Sequence, residues 1–172
     1  MAYLRVALTN LGKYNEGKLI FEWLELPATD KEIQKTFEKI GVAEGTEYEE
    51  YFLTDYETDI EGLTVGEYEN LWELNEKMEE LSTLQDYEIE EVEAIMEAQG
   101  VSLEKALEVQ QEGDFIYYSG VESFEDLAEM FVDEGCFGEI PENLQYYIDY
   151  ERIGRDLKYD YTQTKNGFLS IV

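Results

Sequence analysis

The chain has 172 residues, 44% of them apolar and 14% aromatic, with 12 basic side chains against 42 acidic ones and a net charge of −30. Its 14 Tyr, 8 Phe and 2 Trp carry enough buriable area to exclude an acidic disordered tail, a class poor in aromatics. A field of that sign also excludes nucleic acid and anionic membrane as direct partners and favours a basic surface.

In chain order, "YLRVALT" and "KLIFEWLEL" read as two strands joined by the turn-rich "NLGKYNEG". A helix follows: Thr29 and Glu32 form a capping box, Ile33, Phe37 and Ile40 recur at helical spacing, and Gly41 stands where a C-terminal cap belongs. "YEEYFLT", Tyr48 to Thr54, reads as a third strand of the same small sheet. Thr64 and Glu67 form a second capping box, predicting a helix with Tyr68, Leu71, Trp72 and Met78 on its inner face. Ile89, Val92 and Met96 mark the next helix, ending near Gly100, and Ser102 opens another through Leu103, Ala106 and Leu107.

At "DFIYYSG" a strand is expected again. Ser123 then starts a helix with Phe124, Leu127, Ala128 and Phe131 inside and Gly135 as its stop. Pro141 fits the first turn of a further helix, "PENLQYYIDYERIG", with Leu144, Tyr147 and Ile148 as its inner stripe. "LKYDY" and "GFLSIV" complete the chain as a hairpin across Asn166-Gly167. The expected fold class is α+β, with three small subdomains in series: ββαβ over 1–61, a helical middle over 62–112 and βααββ over 113–172. With 2 Pro and no low-complexity linker, end-to-end packing is expected in place of loose tethering.

The charge is concentrated in the middle. Ile40 to Glu151 holds 34 acids against Lys77 and Lys105, a net of −32, while the two ends together carry +2. The absence of His removes the usual general base and every Ser-His-Asp or Cys-His arrangement. Cys136, the one cysteine, cannot form an intramolecular disulfide or a thiolate zinc site, and reads as a small buried hydrophobe. No phosphate-binding glycine motif is present. "DYETDIEG" begins like a calcium loop at Asp55, but the register puts Ile60 where Gly is required and Gly66 where a bidentate Glu belongs; starting at Glu57 restores Gly62 and places Tyr68 last. No catalytic, cofactor or metal residue is therefore assigned. With no apolar run of signal-peptide or membrane-spanning length, a cytoplasmic protein is expected.

Duplex DNA carries one charge per roughly 1.7 Å, so 30 carboxylate charges equal the count on roughly 50 Å of duplex. Acids displayed along helix faces can offer a DNA-binding protein the pattern its basic groove receives. Self-repulsion at a Debye length of about 8 Å favours spreading such charges along an elongated body. The alternatives are acid as a solubility device, a general acidic interaction protein or chaperone for basic partners, and an enzyme using paired carboxylates.

Three blocks narrow the choice. "VALTNLGKYNEGKLIFEWLELP", "YEEYFLTDYE" and "GEIPENLQYYIDYERIGRDL" resemble, in order and approximate spacing, the ArdA-type antirestriction proteins carried by mobile genetic elements, while the middle helices are least similar. The resemblance implies a non-catalytic, elongated, homodimeric DNA mimic without cofactor. It implies as partner a type I restriction-modification enzyme, whose specificity and methyltransferase subunits it blocks at their DNA-binding groove. It also implies that Ile140, Pro141, Leu144, Tyr147 and Ile148 serve dimer contact or local folding. The expected phosphate surrogates are Glu47, Glu49, Glu50, Asp55, Glu57, Asp59, Glu61, Glu67, Glu69, Glu73, Glu76, Glu79, Glu80, Glu88, Glu90, Glu91 and Glu93, extended by Asp126, Glu129, Asp133 and Glu134.

Overall fold

The computed structural model describes residues 2–172. It is α+β, in the order β1 (Leu4–Asn10), α1 (Leu11–Asn15), β2 (Phe21–Leu26), α2 (Asp30–Ile40), β3 (Tyr51–Thr58), α3 (Leu71–Thr83), α4 (Asp86–Gln99) and α5 (Leu103–Glu112). Then come β4 (Phe115–Ser119), α6 (Phe124–Asp133), a 3-10 helix (Glu142–Tyr147), α7 (Tyr150–Leu157), β5 (Thr162–Gln163) and β6 (Gly167–Ile171). Two compact units emerge: residues through Glu93 with Ser102–Glu104, and Ala94–Val101 with Lys105–Val172.

In the first unit β1 is the centre of a three-stranded antiparallel sheet of order β2-β1-β3. Positions of both parities along β1 are buried, Val6 and Leu8 on one face and Ala7 and Thr9 on the other, so the strand is covered on both sides. Asn10 ends it with a fully buried, fully bonded side chain. Its Nδ2 donates to the carbonyls of Ile40 at 3.0 Å and Gly41 at 3.3 Å, and its Oδ1 accepts the Lys13 N–H at 3.0 Å. The "NLGKYNEG" connection is thereby a helical turn, α1, capped by Asn10, and not irregular turn alone.

α2 has the expected ends: Thr29 and Glu32 close a capping box, and Gly41 caps the other end in the left-handed region at φ 74°. These bonds from Thr29, backbone first, hold the Glu32 carboxyl below its usual pKa. β3 starts three residues later than expected and runs on to Thr58.

Three expectations about secondary structure need correction. The Thr64–Glu67 box does not start α3. Leu53 donates its N–H to the Glu67 carbonyl at 2.7 Å, holding that segment against β3, and Asn70 caps the helix instead by accepting from Trp72 and Glu73. Tyr68 consequently lies outside the helix, 74% exposed, and stacks on Phe52.

The second correction concerns "PENLQYYIDYERIG", which is not one helix. A 3-10 stretch ends at Ile148, whose backbone is extended, and Asp149 then caps a separate α7 by accepting from the Arg152 N–H. Leu144 and Tyr147, expected inside, are 50% and 83% exposed. The third is the final hairpin. "LKYDY" closes α7 in successive turns, Tyr161 donating to the Leu157 carbonyl, so pairing with β6 begins at Thr162.

The second unit's sheet has the order β4-β6-β5. Its core gathers Leu127, Ala128 and Phe131 of α6, Leu157 of α7 and Phe168 of β6. α6 starts at Ser123 as expected, the hydroxyl accepting the Asp126 N–H. Gly154 lets α7 approach α6 closely, since a Cβ there would lie 2.7 Å from the Phe124 carbonyl oxygen. Cys136, expected to be buried, is exposed, because it sits in the turn after α6 between the left-handed Gly135 and Gly138.

Candidate functional site

None of the acids expected to stand in for phosphates is buried. In the first unit Glu47, Glu49 and Glu50 lie just before β3, Asp55 and Glu57 alternate outward along it, and Asp59 and Glu61 follow it, all exposed. Asp55 and Glu57 thus belong to a strand and not to a calcium loop, and the described residues contain no group of acids arranged to hold a metal ion. Glu67 is exposed and Glu69 half-buried ahead of α3, on which Glu73, Glu76 and Glu79 are exposed and Glu80 half-buried. On α4, Glu88, Glu90, Glu91 and Glu93 are all half-buried.

Several of these carboxylates have structural work. Asp59 accepts the Tyr3 N–H at 2.6 Å, Glu69 the Gly66 N–H at 3.0 Å, Glu88 the Gln85 N–H at 2.8 Å and Glu79 the Asn75 amide at 3.2 Å. Glu49 accepts from the Gly45 N–H and Asp55 from its neighbour Tyr56. Glu57 is held by Arg5, which donates to it from Nε at 2.8 Å and from a terminal nitrogen at 2.5 Å.

Lys77 pairs with Glu104 at 3.6 Å and Lys105 with Glu108 at 2.7 Å, so both cations of the acid-rich stretch face acids outside the expected set. Glu93 accepts the Glu61 N–H at 2.9 Å beside Asp59, Glu61 and Glu90. Burial, opposed by that bond and reinforced by the neighbouring acids, pushes its pKa up.

In the second unit Asp126, Glu129, Asp133 and Glu134 are exposed on or at the end of α6. Asp126 also accepts the Ser123 hydroxyl at 2.6 Å as part of the helix start. Ile140 and Ile148 are half-buried and line a cleft with Val132, Asp133 and Tyr150, while Pro141, Leu144 and Tyr147 face outward.

One feature escaped the sequence reading. Phe37 of α2, Tyr51 of β3 and Trp72 of α3 meet in an aromatic cluster. Phe37 and Trp72 stack at 5.6 Å and 16°, and Tyr51 packs edge-on to both at 5.2 and 6.0 Å. They line a cleft of about 630 Å³ with Asp30, Ile33, Gln34, Val42, Ala43, Glu44 and Glu49. Helical spacing flags Phe37 and Trp72 as core positions; only the tertiary fold joins them.

No helix among the described residues is long and apolar enough to cross a membrane. No individual curated protein matches the chain at a significant level. The family model described as antirestriction protein (ArdA) matches residues 6–170, nearly the whole length. With exposed acids on both units and that match, the chain belongs to the ArdA family of antirestriction proteins, inhibitors of restriction-modification enzymes.

Proposed function

We propose that this protein inhibits type I restriction-modification enzymes as a DNA mimic, its surface carboxylates occupying the places of phosphates in the groove of the specificity and methyltransferase subunits. The observation that supports this reading most is the pairing pattern. Glu47, Glu50, Glu67, Glu73 and Glu76 are exposed and bonded to no side chain or backbone donor among the described residues, while Lys77 of the same unit pairs with Glu104. Carboxylates of this kind are open to an external cation, as phosphates are. Glu57, held by Arg5, is left out of the set.

The same reading assigns Pro141, Leu144 and Tyr147 to a homodimer contact, supported by their exposure beside Tyr146, which is 92% exposed. Filling a basic groove with acids requires that affinity for the enzyme fall steeply with salt. Binding measured between about 50 and about 500 mM salt tests this: a steep decline is expected, and a flat profile contradicts electrostatic mimicry. Equal affinity for histones would favour a general acidic partner of basic proteins.

A further inference from the structure

The aromatic cleft of the first unit differs in kind from the acid-bearing surface around it. Its floor is apolar, from Ile33, Phe37 and Val42, one wall is the Trp72 ring, 46% exposed, and three of its lining side chains, Asp30, Glu44 and Glu49, are acidic while none is basic. An apolar occupant would take Asp30 and Glu44 out of water without giving them a partner, and would leave Glu49 only its bond from the Gly45 N–H. An anion would meet three like charges. The lining therefore calls for a ligand with an apolar stem and a cationic, preferably planar, head.

We propose that this cleft binds the side chain of an arginine presented by a partner protein. The methylene stem lies along Ile33, Phe37 and Val42, the guanidinium stacks on the part of the Trp72 ring that Phe37 leaves open, and the acidic rim accepts its N–H groups. The chain already uses this combination internally: Arg5 lies with its Cζ 4.5 Å over the Trp23 ring while its Nε donates to Glu57. Trp72 and the rim of Asp30, Glu44 and Glu49 offer the same pairing of indole face and carboxylate to a guanidinium from outside. That the arginine comes from a restriction-modification enzyme rests on the function proposed above, but the chemistry of the cleft does not.

The consequence is an anchor within an otherwise distributed interface. A test uses the full chain carrying Trp23→Phe, so that Trp72 is the sole indole fluorophore of the two in the sequence. The probes are acetyl-Gly-Arg-Gly-amide, its lysine counterpart and its uncharged citrulline counterpart. The arginine peptide is expected to change Trp72 fluorescence saturably, about threefold or more tighter than lysine, with no saturation by citrulline. Adding Glu44→Gln and Glu49→Gln, which keep the hydrogen-bond acceptors, is expected to abolish the saturable change. Backbone amide shifts from the arginine peptide are expected to centre on Ile33, Phe37 and Ala43.

An equal response to citrulline, or shifts spread evenly along Glu67, Glu73 and Glu76 with none at the cleft, would overturn the proposal. Loss of DNA competition by the whole protein with arginine binding intact would tell against the mimic reading and leave the cleft's ligand standing.

Discussion

Asn75 of α3 bonds both polar backbone groups of Ala28: its Oδ1 accepts the Ala28 N–H at 2.7 Å and its Nδ2 donates to the Ala28 carbonyl at 3.0 Å. Both residues are buried, so this one amide ties α3 to the segment between β2 and α2. Asn75→Leu leaves a buried donor and acceptor without partners, and a loss of about 2–4 kcal/mol is expected in urea unfolding. A change below about 0.5 kcal/mol would mean that the backbone finds other partners.

Gly154 gives a second test, because helix propensity and packing predict opposite signs. Alanine is the better helix former by about 1 kcal/mol, yet its Cβ would press on the backbone of Phe124 at 2.7 and 2.9 Å. The contacts are all with backbone, which shifts at greater cost than a side-chain end, so packing is expected to prevail and Gly154→Ala to lower stability by about 1–3 kcal/mol in thermal or urea unfolding. A stabilised variant would show that α7 can move away from α6 freely.

For Glu93 the sign of the pH dependence follows from burial. Its folded pKa lies above the unfolded value near 4.5, so above the folded pKa its charge opposes folding. Falling pH relieves that cost progressively between the folded and the unfolded pKa. Glu93→Gln keeps an acceptor for the Glu61 N–H and removes the charge. The variant is therefore expected to be more stable than the parent at pH 7, with the difference vanishing near pH 4. A difference that grows as pH falls would contradict the assignment.

A distributed interface predicts weak single effects and a strong combined one. Glu73→Gln alone is expected to weaken enzyme binding by less than about threefold, since exposed pairs contribute a few tenths of a kcal/mol. Replacing Glu47, Glu50, Glu67, Glu73, Glu76 and Glu129 together is expected to weaken it about tenfold or more. Glu57→Gln serves as the control for a carboxylate already engaged by Arg5. Abolition of binding by a single substitution among these would indicate a localised site.

Where local chemistry decided the structure, the sequence was readable. α2 announced both of its ends through Thr29, Glu32 and Gly41, and Ser123 announced the start of α6. Where two local signals competed, distant bonds chose between them. Thr64 and Glu67 have a helix-start pattern, but Leu53 of β3 claims the Glu67 carbonyl, and Asn70 takes over as cap. Pro141 predicts the first turn of one helix, but the chain forms only a 3-10 stretch there, and Asp149, inside that expected helix, caps the α-helix that follows.

At the candidate surface it was legible that these acids stay out of the core, because charged side chains are almost never fully buried, but not that Glu69, Glu80 and the four acids of α4 would be half-buried. Which of them are compensated was not. The Arg5–Glu57 pair spans strands 52 residues apart in sequence, and the Phe37–Tyr51–Trp72 cleft needs three elements to converge.

The most direct measurement sets this protein against duplex DNA for one purified type I methyltransferase. Mimicry predicts mutually exclusive occupancy, with DNA displaced in proportion to the inhibitor added and no complex holding both. A stable complex containing enzyme, DNA and this protein, or DNA affinity unchanged at saturating inhibitor, would contradict it.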